Sequence, residues 1–346
     1  MDTSNSGDTI VVHAGTYPFM QLSDQFTAMV TVEAAAGETV TLRGIKLYRA
    51  SFLTFQGFII NSGSNSVDDV HVYSSAHDIV IAHNNINGGR FGIHVERESG
   101  LPWPSSISVR NNEISNAYVD NAQVSGVRNM SFTYNYDHDP QVNGQHNDGL
   151  QVIAADGMVV AHNHFTFVGY NGSGGPNQGI ILGRADPYEA ERYVNDVTVS
   201  ANLIDHWEGT PIILAGTSNV KVVNNTAYDS GQGGTWSGLN ITAKNNPAQF
   251  DNTGLQVWNN IFNRMTISTG SSWPTYCDYN LVWPGGGNTC GTSLVTSNPQ
   301  FLDHVGYTLQ PLSPAIRSGI DRTGTPAEDL WGQAYFNPPS RGAHTN

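Results

Sequence analysis

Eight short segments carry one signature, a β-type run closed by Asn and usually an apolar residue: "IVIAHNNI", "ISVRNNEI", "MSFTYNYD", "MVVAHNHF", "VTVSANLI", "VKVVNNTA", "LQVWNNIF" and "TYCDYNLV". The shared residue falls at Asn84, Asn112, Asn135, Asn163, Asn202, Asn225, Asn260 and Asn280, at intervals of 28, 23, 28, 39, 23, 35 and 20 residues. A unit repeating at this scale cannot bury its apolar side alone and must stack on its neighbours. About 20 residues suffice for one turn, and the excess in longer intervals is loop. The pattern therefore predicts an all-β protein, a single-stranded right-handed parallel β-helix with an Asn ladder at one bend. Asn tolerates the left-handed backbone that a bend needs and can bond along its own stack. These asparagines are read as structural.

A second strand precedes each ladder segment in the central coils: "FGIHVE", "DNAQVS", "DGLQVI", "QGIILG", "TPIILA" and "SGLNIT". Alternation turns Leu150 and Val152 inward and Gly149 and Gln151 outward. The same phase puts Ile93, Val95, Ile180, Leu182, Ile212, Leu214, Leu239 and Ile241 in the core. No helical periodicity of comparable length appears, and the long loops lie within the repeat array, so residues 1–346 are read as one domain.

Charge limits the partners. The formal net charge is −14, from 29 acidic and 15 basic side chains, which argues against a nucleic-acid binder and repels a polyanion unless a cation intervenes. No run of about eighteen apolar residues exists to span a membrane. The opening "MDTSNSGDTIVVHAGTY" has no basic or apolar leader, which suits an intracellular protein or one written without its signal peptide. Cys277 and Cys290 close a short loop in which a disulfide is plausible, and a secreted monomer is the expectation.

Counting back from the ladder brings two acids together. "D-N-A-Q-V" from Asp120 matches "D-G-L-Q-V" from Asp148, so Asp148 stacks on Asp120 and Gln151 on Gln123, with His94 one coil earlier and Asn240 later. Adjacent strands lie about 4.8 Å apart, so both carboxylates would share an exposed face about 5 Å from each other. Their repulsion calls for a cation, a shared proton or an Arg. The plain alternative is that each Asp caps the turn entering its strand. The loop "YDHDPQVNGQH" adds Asp137, His138, Asp139 and His146 ahead of Asp148, and Arg184 ends the next strand. Tyr118, Trp207 and Trp236 sit in loops entering this sheet, where aromatic faces could stack on sugar rings. The histidines, spread over separate coils, show no zinc-ligand spacing.

With these features in hand, the chain resembles the pectate-lyase superfamily of carbohydrate-active β-helices. "GDTIVVHAGTY", "VTVEAAAGETVTLRG" and "FLTFQGFII" are similar to the first coils of bacterial members, and "NPQFLDHVGYTLQPLSPAIRSGID" with "RGAH" to their C-terminal segment. Some pectate lyases of this superfamily carry a D-G-F coil, an Asp-rich Ca²⁺ coil and a G-F-K-L-G strand whose Lys is the base. "NDGLQV" and "QGIILGR" are similar to the first and last, but Ile181 stands at the Lys position. The resemblance covers nearly the whole chain and implies the fold; it leaves the reaction open.

Two reactions and one binding role follow. As a polysaccharide lyase acting by β-elimination, the enzyme would hold Ca²⁺ between Asp120 and Asp148 and use Arg184, His146 or Lys244 as base. As a glycoside hydrolase it would use the two acids as a pair and need no metal. Gln151, Gln123, His94, Tyr118, Trp207, Trp236, Asn240 and Lys244 would line the polysaccharide in either case. A non-catalytic glycan-binding fibre would keep the aromatic flanks without stacked carboxylates. The lyase leads, because the resemblance runs nearest to lyases.

Overall fold

A computed structural model describes residues 4–345 except 170–174, 184–192, 231–237, 246–248 and 289, and excepting the side chains at 244, 245, 249 and 250. The strands of successive coils pair in parallel in one sheet of nineteen strands and one of eleven. The larger sheet wraps two faces. Strands Ala122–Thr133 and Leu150–Ala161 turn the corner between them, pairing first with Ile93–Glu96 and Ile180–Gly183, then with Ser105–Arg110 and Val194–Ser200. The smaller sheet is the third face, built from short strands such as Asn85–Asn87 and Glu113–Ser115 that follow each ladder residue. The result is the right-handed β-helix that parallel crossovers favour.

All ten side chains assigned to the interior are at most 1% exposed and join one apolar column running from Val30 to Met265. Each coil alone would leave its apolar side in water, so the coils hold one another.

The ladder is continuous through all eight asparagines. Each Nδ2 donates to the next residue's Oδ1 at 2.9–3.1 Å, from Asn84 through Asn112, Asn135, Asn163, Asn202, Asn225 and Asn260 to Asn280. One expectation is corrected. The left-handed residue of the bend is the one before each ladder Asn: His83, Asn111, Tyr134, His162, Ala201, Asn224, Asn259 and Tyr279, with φ between 52° and 57°. That turn tucks the following Asn under the bend, where its amide caps backbone of the preceding coil.

Beyond Leu281–Val282 the chain doubles back across the ladder corner. Asp329 O accepts from His162 Nδ1 at 2.8 Å, Ser340 O from Asn224 Nδ2 at 2.9 Å and Ile320 O from Asn259 Nδ2 at 2.8 Å. Arg341 Nη1 donates to Asn280 O at 2.7 Å, and Leu330 and Ala343 pack with Leu203 and Tyr307. This strap joins coils from residue 162 to residue 280. Cys277 and Cys290 are disulfide-bonded, with Cα atoms 5.6 Å apart.

Candidate functional site

Alternation and register together draw a straight row of outward side chains up the first face. Lys46 pairs with His71, His71 with His94, His94 with Gln123, Gln123 with Gln151, Gln151 with Ile181, Ile181 with Ile213, Ile213 with Asn240 and Asn240 with Thr266. The counted register therefore holds for Gln123, Gln151, His94 and Asn240. The row changes character along its length, from cationic and imidazole groups, through two amides and two isoleucines, to the polar Asn240 and Thr266.

Asp120 and Asp148 do stack, but they do not look out. They are 1% and 0% exposed, which corrects the expectation of an open carboxylate face. Asp120 Oδ1 accepts the Asp148 backbone N–H at 2.9 Å, and Asp148 Oδ1 accepts that of Gln178 at 2.9 Å. Each acid thus caps the coil above it, the plainer role of an Asx side chain before a strand. Their Oδ2 atoms turn towards the row. Gln123 Nε2 donates to Asp120 Oδ2 at 3.0 Å and to Gln151 Oε1 at 2.8 Å, and His146 Nδ1 lies 3.0 Å from Asp148 Oδ2. Burial pushes both carboxyls above the usual range; for Asp120 the Asp148 charge adds to this, whereas the His146 hydrogen bond partly offsets it for Asp148. A pair sealed this way keeps a proton that two exposed acids would lose. A glycosidic oxygen cannot reach either acid in place, so the carboxylate pair as a hydrolase dyad loses its geometric basis. His146 is different: its side chain is 51% exposed above a buried carboxylate.

Asp137 lies elsewhere. It occupies the inward position of Tyr136–His138, in register with Ile114 and Phe165, and accepts from Asn121 Nδ2 at 2.8 Å. Burial pushes its carboxyl up to about 8. His138 bonds Asp139 and Glu113 on the third face. Of that loop's four candidates, His146 joins the row.

Trp207 is a core residue with no exposed surface, packed against the column where a Cβ on Gly149 would meet its ring, so it cannot stack on a sugar. Tyr118 is half-buried, and its carbonyl accepts Asn143 and Asn147 side-chain amides. Asn240 Oδ1 accepts from Thr266 Oγ1 at 3.0 Å at the far end of the row. Arg184, Trp236 and the Lys244 side chain lie outside the described residues.

Sequence reasoning missed what surrounds His94. A cleft of about 300 Å³ opens there, lined by Asp68, His71, Arg90, His94, Glu96 and Arg97 together with Gln123. Asp68 precedes His71 by three residues, as Asp120 precedes Gln123 and Asp148 precedes Gln151. Asp68 Oδ2 lies 3.0 Å from His94 Nδ1 and 3.6 Å from His71 Nδ1, and His71 Nε2 lies 3.1 Å from Glu96 Oε2. Burial raises the Asp68 carboxyl, but the His94 hydrogen bond and the neighbouring His and Arg groups outweigh it and leave it lowered. The signal was present: "VHV" at 70–72 and "IHV" at 93–95 share one phase, 23 residues apart.

Solved structures share this architecture. Pectate lyase Pel9A is similar over 100% of this chain and 89% of its own, with a TM-score of 0.53 and 12% identity. The A-module of the mannuronan C-5 epimerase AlgE6 from Azotobacter vinelandii matches 85% of this chain and 92% of its own, with a TM-score of 0.53 and 12% identity. A mutant of the alginate lyase AlyGC matches 90% of this chain and 53% of its own, with a TM-score of 0.50 and 14% identity. At these identities the likeness is one of fold, and no curated protein matches the chain in sequence. A family model does match, over residues 30–232, more than half of the chain, including the cleft and the row from Lys46 to Ile213. By that match the chain belongs to the family described as periplasmic copper-binding protein (NosD).

Proposed function

We propose that the protein is a polysaccharide lyase that cleaves a uronate-containing glycan laid along the outward row. The observation that carries this reading is the half-exposed His146 imidazole, set on the buried Asp148 carboxylate at 3.0 Å beside the Gln123–Gln151 amide pair. A base held by a third group in one orientation is the arrangement that proton abstraction needs. His146 takes the proton α to the uronate carboxylate, the electron pair left on carbon forms the new double bond, and the glycosidic C–O bond breaks, its pair leaving on the oxygen, which takes a proton from water. Arg90 and Arg97, set among Asp68 and Glu96, line the adjoining cleft and offer guanidinium groups to a substrate carboxylate. The fold neighbours named for pectate and alginate lyases support the substrate class, and the family's periplasmic description together with the disulfide supports a place in or beyond the cell envelope.

Asp120, His146 and Asp148 offer ligand atoms within 4.8 Å of one another. Calcium takes six to eight oxygens, and this set supplies two carboxylates whose oxygens already accept hydrogen bonds. No step of the reading runs through calcium. Incubation with pectate, alginate and neutral glycans, with and without EDTA, tests the whole. Absorbance near 235 nm should rise with a uronan, persist in EDTA, and fall on the order of 10²- to 10⁴-fold in His146→Ala. Reducing ends without that absorbance would mean a hydrolase. Glycan retention with neither signal would mean a binding module.

A further inference from the structure

The family's description implies copper, and the cleft beside the row can be tested against it on its own atoms. Imidazole nitrogen with a carboxylate oxygen is a donor set that suits Cu²⁺ and Zn²⁺. Asp68, His71 and His94 each present a ligand atom within 4.8 Å of the others. The two edges that run through Asp68 Oδ2 measure 3.0 and 3.6 Å, to His94 Nδ1 and His71 Nδ1. Ligands about 2.0–2.2 Å from a common ion stand about 3.0–3.5 Å from one another. By donor type and spacing the residues fit the group.

We propose that Asp68, His71 and His94 bind one late first-row divalent cation, Cu²⁺ ahead of Zn²⁺, with a coordination position turned towards the cleft they line. Two further observations point the same way. The second nitrogen of His71 is held by Glu96 at 3.1 Å, and a carboxylate on the far nitrogen is what fixes a ligating imidazole in orientation and tautomer. The His94 side chain is 6% exposed, and its Nδ1 is held 3.0 Å from Asp68 Oδ2, so a buried ring nitrogen already faces the carboxylate that would share the ion.

Charge decides between kinds of cation. Arg90 acts on Asp68 through its charge, and Arg97 lines the same cleft, so a hard ion held by electrostatics alone is opposed there. An ion that bonds to imidazole nitrogen is held regardless, and the order of divalent affinities puts Cu²⁺ first. The two rings are now stacked, with centroids 4.8 Å apart and planes 7° from parallel. In-plane lone pairs on parallel rings do not converge, so binding turns one ring out of the stack.

The test uses the whole chain, stripped with EDTA and dialysed, then titrated with Cu²⁺ against nitrilotriacetate and followed by electron paramagnetic resonance. The expected result is one tightly held equivalent with hyperfine structure from two nitrogens, not displaced by Ca²⁺ or Mg²⁺. His71→Gln and His94→Gln should each weaken it by more than a hundredfold. Glu96→Gln, a half-exposed change that leaves the ligands in place, should weaken it about ten- to a hundredfold. His146→Ala should leave it unchanged. Circular dichroism of the metal-free variants separates lost ligands from lost fold. No equivalent held against nitrilotriacetate, a signal indifferent to His71, His94 and Glu96, or one abolished by His146→Ala would each overturn the proposal.

Discussion

Asp137 shows how far a single residue's chemistry departs from its letter. It stands where neighbouring coils carry Ile114 and Phe165, and one of its oxygens has no partner among the described residues. With its carboxyl pushed to about 8 by burial, the folded chain keeps a proton that the unfolded chain releases above about 4. The contribution of this group to stability is therefore full below about pH 4 and is lost as pH climbs from about 4 to about 8, the opposite of the usual paired carboxylate. Asp137→Asn keeps an acceptor for Asn121 and removes that titration. Urea denaturation at pH 5 and pH 8 should show a smaller loss in the variant, and an unchanged pH dependence would place the effect on another group. At this scale the register of Asp120 and Asp148 was legible from "D-x-x-Q", but their burial was not. What lies against Asp148 is the Gln178 N–H of the next coil and the His146 ring, and a repeat pattern does not show which way a carboxylate turns.

Among the elements, the ladder was the most legible, because one side chain must satisfy the same backbone atoms in every coil. Asn163 Oδ1 accepts the Asn135 N–H, and its amide reaches Phe132 O at 2.8 Å and Asn202 Oδ1 at 2.9 Å, all buried. Asn163→Ala leaves these groups without partners and should cost about 2–5 kcal/mol in chemical denaturation. The exposed Asn116, whose side chain bonds Asn87 and whose φ of 57° disfavours Ala, should cost less, about 1 kcal/mol, on the same change. The third face escaped the sequence because strands of three residues show too little alternation to register. The histidine pair escaped for another reason. Metal-ligand spacing is sought within one turn or hairpin, whereas a β-helix assembles ligands across coils 23 residues apart.

For the whole molecule, the repeat announced the column, but nothing periodic announced the strap. Solenoids are close to one-dimensional, each coil answering to its neighbours. The strap adds ties between coils that do not touch. Its anchor is Asp329, fully buried, whose carboxylate accepts the backbone N–H groups of Trp331, Gln333 and Thr345. Asp329→Ala should free it. Hydrogen exchange should then rise together across the coils from residue 200 to residue 280 and stay as it was in those before residue 130. Exchange that rises evenly along the chain would deny the strap this role.

Such a lacing also gives the column a grain under load. Drawn out along its axis, the coils below His162 can peel away singly, each at a small force. Those above are stitched by one length of chain, so they should hold together to a higher tension and then let go at once.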